Sequence, residues 1–136
     1  MVDRLLGDEA IGLFIPGFAG PNHPRKAVEA AQELLRLTGF HDANGPWIPV
    51  GIGVHTGPAF VGVVGSEEST ADFTALGDSV NTTARLASHA GTGEILVSDA
   101  TYSAAGLHIQ GLEHRDLELK GKSEATGVYV FRAGQN

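Results

Sequence analysis

Asn81 and Arg85 stand four residues apart, with Thr82 and Thr83 between them. On a helix that spacing sets both on one face, a neutral hydrogen-bonding group beside a fixed cation whose planar fork fits phosphate oxygens. Helix stability does not favour this run. Asn and two Thr in an interior turn are each poorer than Ala or Leu by roughly a few tenths of a kcal/mol. Taken alone, the pair is also what a solvated helix face presents. The wider charge balance makes every cation informative: the chain has a net charge of −7 and only nine lysines and arginines. Any of these that converge on one concave site face an anionic ligand. Lys120 and Lys122 flank Gly121 in a second cationic group, which read by itself is a surface turn with solvated lysines. Two phosphate-binding signatures are excluded. Gly121-Lys122-Ser123 ends like a P-loop, but the required first glycine falls on Asp116 and a strand follows. Gly51 to Gly57 has the wrong third spacing for a dinucleotide fingerprint.

The elements that must position these residues follow from pattern. Val2–Leu6 and Ala10–Ile15, separated by Gly7-Asp8-Glu9, read as a β-hairpin. Residues from Pro16 to Pro24 form a Pro- and Gly-rich connection, with Pro24 suited to the first position of a helix. That helix is expected over Arg25–Thr38, with Ala27, Ala30, Ala31, Leu34 and Leu35 on its apolar stripe and Gly39 at its C-terminus. Trp47–Val54 and Ala59–Val64, divided by Thr56-Gly57-Pro58, read as a second hairpin. A polar loop follows at Gly65 to Ala71. Asp78 or Ser79 is expected to cap a helix from Val80 to about His89, ended by Gly91-Thr92-Gly93. A strand at Glu94–Ser98, a helical turn around Asp99–Ala104, and strands near His108–Leu119 and Thr126–Arg132 complete the chain. The expected class is α+β, with helices on one face of a sheet.

The 136 residues have the size of one domain, 1–136. The acidic balance excludes a nucleic-acid partner, which needs a basic footprint. No apolar stretch approaches membrane-spanning length and no signal-peptide pattern opens the chain, so a cytoplasmic location without membrane contact from this segment is expected. With no cysteine, disulfides and thiolate metal sites are excluded. The six histidines form no close ligand pair, and His55 reads as a strand residue.

The run Asp72-Phe73-Thr74-Ala75-Leu76-Gly77-Asp78-Ser79-Val80-Asn81-Thr82-Thr83-Ala84-Arg85-Leu86 resembles the signature of class III adenylate and guanylate cyclases. Val2–Glu9, Gly51–Gly57, Gly93–Ser98 and Leu119–Lys122 resemble further segments of that family, in the same order. The resemblance implies a ferredoxin-like cyclase fold and a reaction in which the ribose 3′-hydroxyl attacks the α-phosphorus in line and pyrophosphate leaves. It assigns Asp8 to one of two metal-binding aspartates for Mg2+ or Mn2+, which take hard carboxylate oxygens. It assigns Asn81 to the ribose, Arg85 to the charge developing at the α-phosphate, and Lys120 to the terminal phosphates, with Lys122 the alternative in register. Arg4 and Thr74 fall at the base-selecting positions. Thr74 is able to accept from the adenine amino group, and Arg4 to donate to a ring nitrogen or address a guanine carbonyl. The expected product is cyclic AMP from ATP, with cyclic GMP from GTP the alternative.

The resemblance covers nearly the whole chain but not the whole family domain. The first strand and two helices have no counterpart here, nor does the Phe-x-Asp segment that carries the other metal aspartate. Family sites form at a dimer interface, so a homodimer or a heterodimer with a cyclase subunit is expected. The rival expectation is a non-catalytic cyclase-like domain that serves as a nucleotide-binding or dimerising partner.

Overall fold

A computed structural model describes residues 2–6, 9–64 and 72–133. The order is β1 (Val2–Leu6), β2 (Glu9–Gly12), α1 (Pro16–Ala19), α2 (His23–Leu37), β3 (Ile52–Val54), β4 (Phe60–Val64), β5 (Asp72–Leu76), α3 (Asp78–His89), β6 (Glu94–Ser98), α4 (Asp99–Ala104), β7 (Glu113–Leu117) and β8 (Thr126–Arg132). A central sheet runs β3-β6-β8-β7; β1 pairs with β2 and β4 with β5 as separate ribbons.

β1 and β2 form the first expected hairpin, antiparallel, with the second strand ending at Gly12 rather than Ile15. The second hairpin is not formed. β3 instead runs parallel to β6, Ile52 opposite Ile95 and Val54 opposite Val97. β4 pairs antiparallel with β5, Phe60 opposite Leu76. Gly57 lies against the start of α3, where a Cβ would collide with Ser79 Oγ. Thr56-Gly57-Pro58 therefore packs on the start of α3 instead of closing a turn.

The helices lie on both faces of the central sheet, not on one. Ile95 and Val97 of β6 join Phe131 and the α2 residues Val28, Ala31 and Leu35 in one cluster. Leu96 joins Val128, Val130, Leu119 and Leu86 of α3 in the other. A strand buried on both sides needs cover on both sides, and Ile95 through Ser98 are all buried. The inward face of α2 also differs from expectation, since it carries Pro24, Val28, Ala31 and Leu35 while Ala30 and Leu34 face outward. Its cap is as expected: Gly39, at φ 97°, follows the C-cap Thr38 in the left-handed region that only glycine adopts freely.

An ion-pair network staples the sheet across β6, β8 and β7. Arg115 Nη1 and Nη2 donate to the two carboxylate oxygens of Glu94 at 3.1 and 2.8 Å, and Arg132 Nη2 adds a bond at 3.2 Å. The Gly91 amide donates to the same carboxylate at 2.9 Å. These donors, Arg115 first, hold the Glu94 carboxyl down at about 2. Glu94→Gln is expected to lower stability at pH 7 by about 2 kcal/mol, in the range of hydrogen bonds to a charged group. Because the folded-state pKa is depressed, this contribution is present above about pH 4.5 and is lost as pH falls toward 2. Urea unfolding of the two proteins at pH 7 and pH 3 measures it, and the gap must narrow at the lower pH.

Candidate functional site

The position of α3 decides where its polar face points. Leu86 is fully buried against β6 and β8, and Gly53 lets the helix lie directly on β3. A Cβ on Gly53 would come within 2.6 Å of the Ala87 amide nitrogen and 2.9 Å of Thr83 O. The helix starts differently from expectation. Gly77, at φ 131°, occupies the N-cap without a side-chain cap bond, and Asp78 is the first helical residue. Asp78 sits one position past the cap, and its carboxylate is held by Lys122.

The three poor helix formers have three distinct environments. Thr83 Oγ1 donates to the Ser79 carbonyl one turn back at 2.7 Å, the local bond by which threonine is tolerated inside a helix. Thr82 is buried, and its hydroxyl has no partner among the described residues. Asn81 is exposed on the outer face, and its amide has no partner among the described residues. Thus helix packing accounts for Thr82 and a local bond for Thr83, while neither accounts for Asn81.

Arg85, one turn further on, reaches the β7–β8 turn. A Cβ on Gly121 would lie 3.5 Å from Arg85 Nη1 and 3.6 Å from Nη2, so the guanidinium rests over the backbone between Lys120 and Lys122. The turn is tight: the Lys122 amide donates to the Leu119 carbonyl at 3.0 Å, Gly121 supplies the positive φ of 85°, and buried Leu119 pins the turn to the core. Two distant parts of the sequence, α3 through Arg85 and the turn that contains Lys120, thus meet at Gly121.

A lack of side-chain partners among the described residues sets Arg85 and Lys120 apart. Among the described residues, Arg36, Arg115, Arg132 and Lys122 hold carboxylates. Arg25 and Lys26 donate to the carbonyls of Gly106 and Ala19. Among the described residues Arg85 and Lys120 have no carboxylate within 4 Å, and the Arg85 guanidinium lies over the residue next to Lys120. In an acidic chain such a pair is an anion-facing surface.

His55 follows β3 at the edge of the same region. Its Nδ1 lies 2.8 Å from Ser98 Oγ. Burial, reinforced by the charge of Lys122 and opposed by Asp78, lowers its pKa below the ordinary imidazole value of about 6.5, so it is neutral at pH 7. With Thr82, Lys122 and Glu124, His55 lines an open cleft of about 300 Å³. Local pattern does not place His55 here, because its hydrogen-bond partner Ser98 is 43 positions away and its cleft neighbours come from α3 and the β7–β8 connection.

Two further expected residues are placed by backbone alone. Arg4 is on β1 and Thr74 on β5, opposite Gly62 of β4. β1 and β5 approach within 8 Å between Cα atoms, so the two positions occur on neighbouring ribbons. Asp8 lies outside the described residues. Among those described, no group of three or more His, Asp or Glu is arranged to hold a metal ion, so the described residues alone do not fit a metal centre. No described helix is long and apolar enough to cross a membrane.

Residues 18–132 match the profile of the adenylate and guanylate cyclase catalytic domain. The terminal-differentiation-specific adenylate cyclase of Dictyostelium discoideum is 31% identical over a 147-residue alignment that covers 98% of this chain and 7% of that protein. Human atrial natriuretic peptide receptor 2 is 36% identical over 134 residues, covering 90% of this chain and 13% of the receptor. The chain therefore spans a small part of the length of these relatives. Among solved structures, that of the guanylyl cyclase Cya2 superposes with a TM-score of 0.81 at 28% identity, covering 99% of this chain and 71% of that one.

Proposed function

Because this chain belongs to the adenylate and guanylate cyclase catalytic domain family, we propose that it supplies the ribose- and phosphate-holding half of a composite cyclase site that makes cyclic AMP from ATP. The observation that supports this most is the Arg85 guanidinium resting on Gly121, next in sequence to Lys120, with Arg85, Lys120 and Asn81 all without side-chain partners among the described residues. Lys120 binds the terminal phosphates. Arg85 carries the charge that develops on the α-phosphate as the 3′-oxygen attacks and the bond to the pyrophosphate oxygen breaks. Asn81 orients the ribose, so that attacking oxygen and phosphorus are held in line. A divalent ion, Mg2+ or Mn2+, supplies Lewis-acid polarisation of the phosphates when bound. In the site that holds Asn81, Arg85 and Lys120 the partner subunit is proposed to provide the metal aspartates, and Asp8 of this chain is proposed to face the metal of the reciprocal site. The site is thus proposed to form in a homodimer or heterodimer of cyclase domains, in the cytoplasm, with residues 1–136 acting as one domain.

The similar proteins include both adenylate and guanylyl cyclases by name, so base choice is argued from Arg4 and Thr74. Thr74 accepts from the exocyclic amine of adenine, and Arg4 donates to a ring acceptor. Product formation from ATP and from GTP in the assembled dimer, measured side by side, tests this. ATP is expected to be the better substrate, and Arg4→Glu with Thr74→Cys is expected to shift the ratio toward GTP. A preference for GTP in the unaltered chain would overturn the assignment of adenine.

A further inference from the structure

We infer that Lys122 and Asp78 are positioning residues for the phosphate site, a latch that locks the Lys120 turn to the first turn of α3 and keeps Asp78 from drawing Arg85 out of place. This rests on the cyclase reading above and deepens it. Lys122 Nζ and the Asp78 carboxylate are in direct contact across 44 residues of sequence. One partner opens α3, which carries Asn81 and Arg85. The other closes the turn that begins at Lys120. The ion pair therefore joins α3 to the turn over which the Arg85 guanidinium rests.

Geometry gives the latch a second task. Asp78 and Arg85 are seven residues apart on α3 and fall on the same helical face. Asp78 is held below the ordinary carboxylate range by Lys122 first, with Arg85 and His55 also acting on it. With Lys122 in place, the aspartate is satisfied and, among the described residues, no carboxylate lies within ion-pair distance of Arg85. Without Lys122, the nearest cation on the same face is Arg85. Asp78 is 71% exposed in its side chain, so the pair adds little to folding stability. A shift of about 1 Å in a phosphate-holding group, by contrast, is costly to function.

The test is a double-mutant cycle of Lys122→Met and Asp78→Asn, read by calorimetric binding of inorganic tripolyphosphate to the folded chain and by kcat and KM for ATP in the assembled dimer. Lys122→Met is expected to weaken tripolyphosphate binding and lower kcat by about tenfold each, with little change in the unfolding midpoint. Adding Asp78→Asn to that variant is expected to restore both to within about threefold of the original, because no carboxylate is left to capture Arg85. Lys122→Arg is expected to retain most activity. A double variant no better than Lys122→Met would mean that Lys122 contacts the phosphates itself, and would overturn the latch; so would a Lys122→Met variant that binds as the original does. If the binding cycle behaves as expected while the unaltered dimer makes no cyclic nucleotide, the latch stands and the cyclase reading falls.

Discussion

Arg85→Ala is expected to reduce cyclic nucleotide formation by about 10²- to 10³-fold in kcat, the usual loss when one preorganised group facing a transition-state charge is removed. The variant should remain folded. Alanine is the best helix former, and the core contacts of α3 are made by Leu86 and Thr82 rather than Arg85. KM for the nucleotide should rise much less than kcat falls, because Lys120 retains its hold on the terminal phosphates. Lysine at position 85 should not rescue the rate. A single ammonium cannot reproduce the planar fork that lies over Gly121. A drop confined to KM would instead mark Arg85 as a group that binds ground state and transition state equally.

Gly53→Ala should have the largest effect on the fold, and through it on the site. Gly53 is not among the glycines with positive φ, so backbone strain is not the issue; the obstacle is space. The new methyl would meet the Ala87 nitrogen at 2.6 Å and Thr83 O and Leu86 Cβ at 2.9 Å. Two of these are helix backbone atoms, which cannot rotate away. α3 must therefore move off β3, and it carries Asn81 and Arg85 with it. A loss of about 2–3 kcal/mol is expected from overpacking of this kind, seen as a lower urea midpoint with an unchanged slope. Gly57→Ala makes a useful contrast: its nearest obstacle is the hydroxyl of Ser79, a side-chain end able to change rotamer. The milder consequence expected there would separate helix displacement from a generic intolerance of larger side chains.

Local features of the fold were legible in the sequence, and long-range ones were not. α2, α3, β6 and β8 follow from periodicity, apolar runs and terminating glycines, and β8 spans the expected Thr126–Arg132. The pairing of β3 is not legible because Thr56-Gly57-Pro58 has the composition of a turn, while in the fold its glycine packs closely on Ser79. Strand partners separated by an intervening ribbon and helix leave no mark on local pattern. The assumption that helices cover one face failed for a related reason. The continuous burial of Ile95 to Ser98 is visible only once both sides of β6 are seen to be occupied. At the site, the Asn81–Arg85 spacing was readable because it is a property of one helix. The placement of Arg85 over Gly121 and the engagement of Lys122 by Asp78 were not, since each depends on how α3 and the β7–β8 turn meet. That meeting also distinguishes the two lysines: among the described residues, Lys122 is committed to a carboxylate and Lys120 is not.

The central claim, that this chain provides the phosphate-facing half of a cyclase site, is tested most directly by complementation. A complete cyclase subunit that keeps its metal aspartates but lacks its own equivalents of Asn81 and Arg85 is mixed with this chain, Mn2+ and ATP, and cyclic AMP is measured. The account predicts that the mixture is active, and that Asn81→Ala or Arg85→Ala in this chain abolishes the activity. An active mixture indifferent to both substitutions, or an inactive one containing folded, associated protein, would contradict it.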